Sequence, residues 1–459
     1  YMEYEEYMVS LTEQIHDKRA KQLVAQEIKN HIEEQAEMYE ADGMEHAKAL
    51  QEAVRQMGNP VETGTALNQI HKPKMPWAML GIVTILMLSG ILMQAVVFAA
   101  GADSEWNFNG ETLLPQTIVH NVIGFGIIMF LLRIDYNFIA KSAYKLYAGY
   151  MIGLLLYALA AGIRGMMFGQ NMTMYYGVQM LFSIVFAGII YCNRNRGWRG
   201  IAICLVLGIA EVLWYGQLYA GMVGRTYYST FPAMAESILT IGIMLVLAIW
   251  KGIFGRDRKQ QILFLSIVVL VLAAVSVLIL ATTGGMGAYI WKRIMNIFMN
   301  TDSAYMNRLL QDSIARADWI GGASFVGGTP EPTHYASYLL NCVFSYYGKL
   351  AGIIIIALYV LFLGMALIVS FKQSNRIGFL VGTACTVSIL VRFAAYLAMN
   401  MGCALWWTTL VPFFSYGKVS AVMNGIYIGL ILCVYRNSSI LKEDSVPQKH
   451  LPRIRVTIE

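Results

Sequence analysis

The groups in this chain that could move a proton or hold an anion gather in one stretch. Residues 284–335 carry Tyr289-Ile290-Trp291-Lys292-Arg293, then Gln311-Asp312-Ser313, then Thr329-Pro330-Glu331-Pro332-Thr333-His334. Glu331 and His334 place a carboxylate and an imidazole close together, and an imidazole can act as a base near neutral pH. Lys292 and Arg293 are adjacent cations. The stretch is the only long polar interruption after residue 76, and it lies between two long apolar segments. Ionisable and aromatic residues gathered in one loop of a membrane protein mark a place for chemistry or recognition.

The elements that must position this loop read as membrane helices. The sequence is 57% hydrophobic and only 14% charged, where a soluble chain carries roughly a quarter charged residues. Ten apolar segments are long enough for a spanning helix of about 20 residues. They fall near 77–99, 115–132, 146–163, 174–192, 200–219, 234–254, 261–283, 336–371, 377–399 and 409–434. The eighth is unusually long and is expected to tilt or to project beyond the lipid. Arg133, Lys141 and Lys145 follow the second span, and Arg194, Arg196 and Arg199 follow the fourth. Lys251, Arg256, Arg258 and Lys259 follow the sixth, and Lys372 and Arg376 follow the eighth. The alternate loops are poorer in Lys and Arg. The positive-inside rule therefore places both termini in the cytoplasm and the 284–335 loop outside.

Charge divides the chain. Residues 1–76 hold 14 acidic and 8 basic residues, and the remainder holds 14 acidic and 26 basic. An acidic soluble head thus precedes a basic membrane body. In the head, Tyr4, Met8, Leu11 and Ile15 repeat at helical spacing, as do Val24, Ile28, Ile32 and Tyr39, and again Ala47, Leu50, Val54 and Met57. Gly58-Asn59-Pro60 ends the third of these helices. The "EIKNHIEE" helix and the "AVRQMGNP" ending resemble the permease prefix (HAAS) domain found ahead of Gram-positive membrane proteins. The head has no catalytic constellation. His16, His31 and His46 are expected on solvated faces, and docking of a cytoplasmic partner is the role open to residues 1–76.

The expected fold class is all-α: a polytopic bundle of ten transmembrane helices behind a small N-terminal cytoplasmic helical domain. The divisions are 1–76, 77–437 and a cytoplasmic tail 438–459. The six cysteines are scattered without CxxC spacing and read as small apolar residues in helices. Trp77, Trp198, Trp291 and Trp406 read as interface anchors. Nothing indicates nucleic-acid binding.

Several local patterns in the membrane body converge on one resemblance. They are Arg133-Ile134-Asp135-Tyr136 after the second span, and Lys292-Arg293-Ile294 with Gln311-Asp312-Ser313, Gly321-Gly322 and Pro330-Glu331 in the loop. Gly348-Lys349-Leu350-Ala351-Gly352 follows, then Pro412-Phe413-Phe414-Ser415-Tyr416-Gly417 at the last span. Their order and spacing are similar to those of the SEDS family (shape, elongation, division and sporulation; the FtsW, RodA and SpoVE proteins), over roughly residues 77–437. The resemblance implies a protein of the bacterial plasma membrane that serves peptidoglycan synthesis in cell division, elongation or sporulation. It implies a glycosyltransferase that polymerises lipid II at the outer face beside a penicillin-binding-protein-type transpeptidase. Such chemistry needs a carboxylate to take the proton of the acceptor hydroxyl and cations to offset charge on the pyrophosphate leaving group. Arg164, Lys292, Arg293, Gln311, Arg392, Ser415 and Lys418 are the substrate-binding candidates. Arg164 lies in a turn similar to the family's arginine-containing turn, and Arg392 lies within the ninth span. The bland reading of these cations is snorkelling or a structural ion pair. No cofactor is called for; a divalent cation at the pyrophosphate stays open.

The family's essential aspartate is the point of departure. Aligned through Gly348 and Gly352 it falls on Ser337; aligned through Pro330-Glu331 it falls on Tyr335. A serine hydroxyl cannot accept the proton without a base beside it. The catalytic candidates are therefore Glu331, His334 and Ser337. The family's Gly-Gly-Ser-Ser reads Gly417-Lys418-Val419-Ser420, its Gln-Pro-Ser-Glu is not recognisable near Gln179, and its Pro-Asp becomes Pro232-Ala233 with Glu236 three residues on. Three readings follow: a lipid II polymerase with a relocated base, a catalytically inactive paralogue that binds precursor or division partners, and a flippase or transporter. Intramembrane Glu211 fits the third, but no repeat with paired broken helices is visible.

Overall fold

The computed structural model describes residues 3–70, 75–101, 110–168, 173–223, 231–255, 257–282, 295, 305–321, 338–403, 411–414 and 417–439. Their secondary structure is helical throughout, with no strand among the described residues. Contacts group them into two units, one around residues 3–70 and one around residues 77–434.

The head has four helices: α1 (Tyr4–Glu13), α2 (Lys18–Ala41), α3 (His46–Gln56) and α4 (Pro60–Ile70). The apolar repeats face inward except at Ala47, which is exposed while Ala49 and Ala53 of the same helix are buried. Tyr7, Leu11, Val24, Ile32 and Ala53 form a closed core. The sequence reading was one helix short. Pro60 does more than end α3, because a proline at the first helical position has no N–H to leave unsatisfied and its φ already suits a helix. The Asn59 side chain caps the new helix by accepting the Val61 N–H at 2.9 Å. Gly64 lets α4 cross α1 closely, since a Cβ there would lie 2.6 Å from the Leu11 carbonyl. His16, His31 and His46 are exposed, as their positions on the polar faces imply.

In the membrane body, helices stand at all ten places where the sequence puts spans. They are α5 (Trp77–Gly101), α6 (Gly110–Leu131), α8 (Ala143–Phe168), the pair α9 and α10 (Thr173–Met180, Phe182–Cys192), α11 (Gly197–Val223), α12 (Phe231–Trp250) and α13 (Arg258–Thr282). The rest are the pair α15 and α16 (Leu339–Tyr347, Lys349–Phe371), α17 (Arg376–Asn400) and α18 (Lys418–Arg436). Short α7 (Asn137–Lys141) follows α6, and α14 (Tyr305–Arg316) lies in the large loop. Seven described helices are long and apolar enough to cross a membrane, and Gly177–Cys192 and Met234–Trp250 are shorter apolar stretches.

The hub is α17. Of its most apolar window 89% is buried, against 17% for peripheral α6. A helix apolar on every side must be surrounded by protein or lipid, and α10, α12 and α16 surround this one. Asn375 starts it by accepting the Ile377 N–H at 2.9 Å. Gly382 admits the Ser370 hydroxyl, which a Cβ would meet at 2.6 Å. The Arg133-Ile134-Asp135-Tyr136 turn has a packing role here. Asp135 caps Asn137 at 2.9 Å, and fully buried Tyr136 fills the space beside Gly378.

The unusually long eighth span is not one helix. Gly348, at φ +91° and ψ 169°, separates α15 from α16. That backbone region is open almost only to glycine. A Cβ at 348 would lie 2.8, 2.9 and 3.0 Å from the carbonyls of Trp319, Asp318 and Gly321. Those carbonyls belong to the chain leaving α14, and they cap α16: the Lys349 N–H donates to Asp318 at 2.9 Å and the Leu350 N–H to Trp319 at 3.1 Å. Unsatisfied N–H groups at the start of a helix explain why a loop docks there.

Candidate functional site

The seam between α12 and α17 carries charge into the apolar body. Arg392 of α17 is 6% exposed and Glu236 of α12 is 7% exposed. Their side chains pair at 3.6 Å. An isolated charge in such surroundings would be costly, and a pair held in register offsets much of that cost. Around the pair lies a small polar pocket of about 20 Å³, lined by Gln179, Ser183, Ser237, Thr240 and Ser388 among others. Gln179 donates to the Ser237 hydroxyl at 2.7 Å. Ser183 and Tyr427 share a hydrogen bond at 3.0 Å, and the Tyr427 hydroxyl donates to the Met180 carbonyl, where α9 gives way to α10. The break in the fourth span therefore presents a carbonyl that a phenol from α18 satisfies.

The same two helices form an apolar groove. It offers about 360 Å³ between Leu239 and Ile243 of α12 and Leu390, Val391, Ala394, Ala395 and Ala398 of α17, and it is open along one side. Alanines at 394, 395 and 398 keep the α17 wall low, which is what leaves room for a chain to lie against the helix. Arg392 and Val391 are neighbours in sequence, so the guanidinium and the groove diverge from one turn of helix.

The remaining candidates distribute unevenly. Glu331, His334, Ser337, Lys292, Arg293 and Ser415 lie outside the described residues. Arg164 stands near the C-terminal end of α8, and its side chain is likewise outside them. Lys418 is exposed at the first position of α18. Gln311 is engaged in holding the loop. Its amide donates to the Gly402 carbonyl at 3.0 Å, tying α14 to the end of α17. Asn341 of α15 completes the clamp, because its amide donates to Leu310 of α14 and to Asn400 of α17, each at 3.0 Å. The Asn341 N–H in turn donates to the Asn400 side chain at 3.0 Å.

Sequence reasoning passed over two groups. Glu236 registered only as a neighbour of an altered motif, although opposite charges in two apolar spans already invite pairing. The Phe413-Phe414 pair registered as a family mark, whereas its side chains build an aromatic core. Phe413 takes φ +70° and lies edge-on to Tyr359 and Phe362. Phe414 stacks on Tyr359 and Tyr396 with centroids 5.4 and 5.8 Å apart. Such contacts add to the apolar burial of the rings. Glu211 is fully buried in α11, and its Oε1 accepts from the Tyr150 hydroxyl at 2.8 Å, so it is bonded within the bundle.

No protein-family model matches the chain, and no curated protein matches it. Solved structures do. A chain from a peptidoglycan synthase complex, described for its coordination of polymerization and crosslinking, is 16% identical. The match covers 79% of this chain and 98% of that one with a TM-score of 0.56. Two structures of the rod shape determining protein RodA of Thermus thermophilus, one of them an alanine mutant, are 12% and 13% identical. They match over 79% of this chain and 98% and 97% of theirs, with TM-scores of 0.48 and 0.46. The class is therefore an all-α polytopic membrane protein. Its fold is the one that the SEDS resemblance implied, shared with a chain of a peptidoglycan synthase complex.

Proposed function

We propose that this protein serves peptidoglycan synthesis by holding undecaprenyl-pyrophosphate-linked lipid II at the outer face of a bacterial plasma membrane, with a weakened polymerase activity. The observation that carries the reading is the α12–α17 seam, where a buried guanidinium and an apolar groove of about 360 Å³ arise from the same helices. A polyprenyl chain needs an apolar furrow within the bilayer, and a pyrophosphate needs cations at its edge. The loop 284–335 faces outward in this reading and both termini face the cytoplasm. A penicillin-binding-protein-type transpeptidase is the partner on the outer side, a reading supported by the synthase complex among the fold relatives. Residues 1–76 dock a cytoplasmic partner.

Weakened chemistry follows from Ser337 or Tyr335 at the aspartate position, with Glu331 and His334 as the nearest replacement bases. The test is polymerisation of labelled lipid II by the purified protein beside its Ser337→Asp and Glu331→Gln variants. Slow glycan growth by the natural chain is expected, with faster growth for Ser337→Asp and none for Glu331→Gln. Processive synthesis by Glu331→Gln at the unmutated rate would remove the relocated base.

A second reading, an inactive paralogue that binds precursor or division partners, is favoured by the engagement of Arg392 with Glu236. Retention of lipid II without product from the natural chain or from Ser337→Asp selects it. Failure of the natural chain to retain lipid II overturns both.

A further inference from the structure

The chain between α14 and α16 exposes two large apolar side chains next to each other. Trp319 is 67% exposed and Ile320 is 79% exposed. They sit on a hook whose backbone is fastened to the start of a membrane-spanning helix. The carbonyls of Asp318 and Trp319 accept the first N–H groups of α16 at 2.9 and 3.1 Å, and the Gly321 N–H donates to the Tyr347 carbonyl at 3.3 Å. Gly348 seats the hook so closely that no Cβ fits between them. The hook therefore has a fixed height relative to α16, the most apolar of the described spanning helices.

The hook is fastened beside an apolar helix face, through the Leu350 N–H. Leu350, Ile353 and Ile354 on the first turns of α16 are 45%, 46% and 50% exposed, and in a spanning helix such a face meets lipid. The charged groups nearby are Asp312, Arg316 and Asp318 on the loop side and Lys349 at the helix start, whose ammonium donates to the Ala315 carbonyl at 3.2 Å. Asp318 and Lys349 thus put both signs at the point where the hook is fastened, beside a tryptophan. That is the composition of the zone between headgroups and acyl chains, where indole rings and basic side chains lodge.

We infer that Trp319 and Ile320 are a membrane pin: they insert into the headgroup–acyl boundary of a phospholipid monolayer and hold the large loop at a set distance from it. Burial of both side chains in that boundary removes apolar surface from water, which favours insertion. The hydrogen bonds to α15 and α16 satisfy the Asp318 and Trp319 carbonyls and the Gly321 N–H, groups that would be costly to leave unpaired at membrane depth.

Depth can be read with a nitroxide at position 320. The full chain carries Ile320→Cys in a background with Cys192→Ser and Cys403→Ser, the other native cysteines being buried. It is placed in phosphatidylcholine nanodiscs beside an Asp312→Cys reference on the exposed face of α14. The label at 320 should collide severalfold more with oxygen than with a water-soluble nickel chelate, and the label at 312 should show the reverse order. Equal access of the chelate to both sites would overturn the pin. A second measurement does not depend on the label. Quenching of tryptophan emission by lipids brominated near the headgroup should fall in Trp319→Phe, and unchanged quenching counts against insertion. A label at 320 that stays open to the chelate in nanodiscs and closes only when another protein is added identifies a protein interface and overturns the lipid assignment.

Discussion

Removing Arg392 alone breaks the ion pair that nearly buried Glu236 makes with it. Losing one member of such a pair costs about 3–5 kcal/mol, whereas replacing both by apolar residues of similar volume is close to neutral. Arg392→Met is therefore expected to lower the unfolding free energy in detergent by about 3–5 kcal/mol, and Arg392→Met with Glu236→Leu to return within about 1 kcal/mol of the natural chain. A double variant as unstable as the single one would show that the arginine stabilises the seam by contacts other than this pair. The same double variant separates structure from function. If Arg392 holds a pyrophosphate, a stable double variant will still fail to retain lipid II. Sequence alone picked out Arg392 because a guanidinium in an apolar span is conspicuous. Its partner was less conspicuous because Glu236 lies 156 positions away, and the pairing depends on how α12 and α17 cross.

At the scale of the element, the break at Gly348 decides how the large loop meets the membrane body. Alanine there must adopt φ +91° and press its Cβ against three carbonyls. Strain of this kind costs about 1–3 kcal/mol before any clash is counted. Gly348→Ala should therefore destabilise the protein by at least about 2 kcal/mol and open 318–321 to limited proteolysis ahead of global unfolding. Unchanged cleavage would mean that the carbonyl cap is dispensable. The sequence showed a single apolar run from 336 to 371, and hydropathy counts a glycine in that run as one more apolar residue. Only the positive φ and the carbonyls crowding the site reveal a stop. The head gives the opposite case. Its apolar repeats marked three helices directly, and the fourth escaped because Pro60 was read as an ending when it also begins a helix.

Across the whole molecule, two units meet different solvents, and each responds to conditions in its own way. In the head, the Tyr7 hydroxyl is buried and donates to the Met57 carbonyl at 3.3 Å. Burial pushes its phenol above the usual value of 10.0, with a smaller opposing effect from Thr63. The folded head thus favours the protonated phenol. The stabilisation is complete below the unfolded value and is lost as pH rises from there through the folded one. Helical signal from the head should fall as pH rises above about 10, and less steeply in Tyr7→Phe. Equal alkaline loss in both proteins would assign the titration to other groups. The membrane body was legible in outline because about 20 apolar residues must precede each return to water. That is a one-dimensional constraint, so composition and order determined the ten helical places, the acidic head and the polar loop. Tertiary structure alone decided that α17 is the hub, that Arg392 meets Glu236, that the Phe413-Phe414 motif is an aromatic core, and that Gly348 ends a helix. Each of these depends on two segments far apart in sequence coming within a few ångströms, and neither hydropathy nor charge along one segment carries that information.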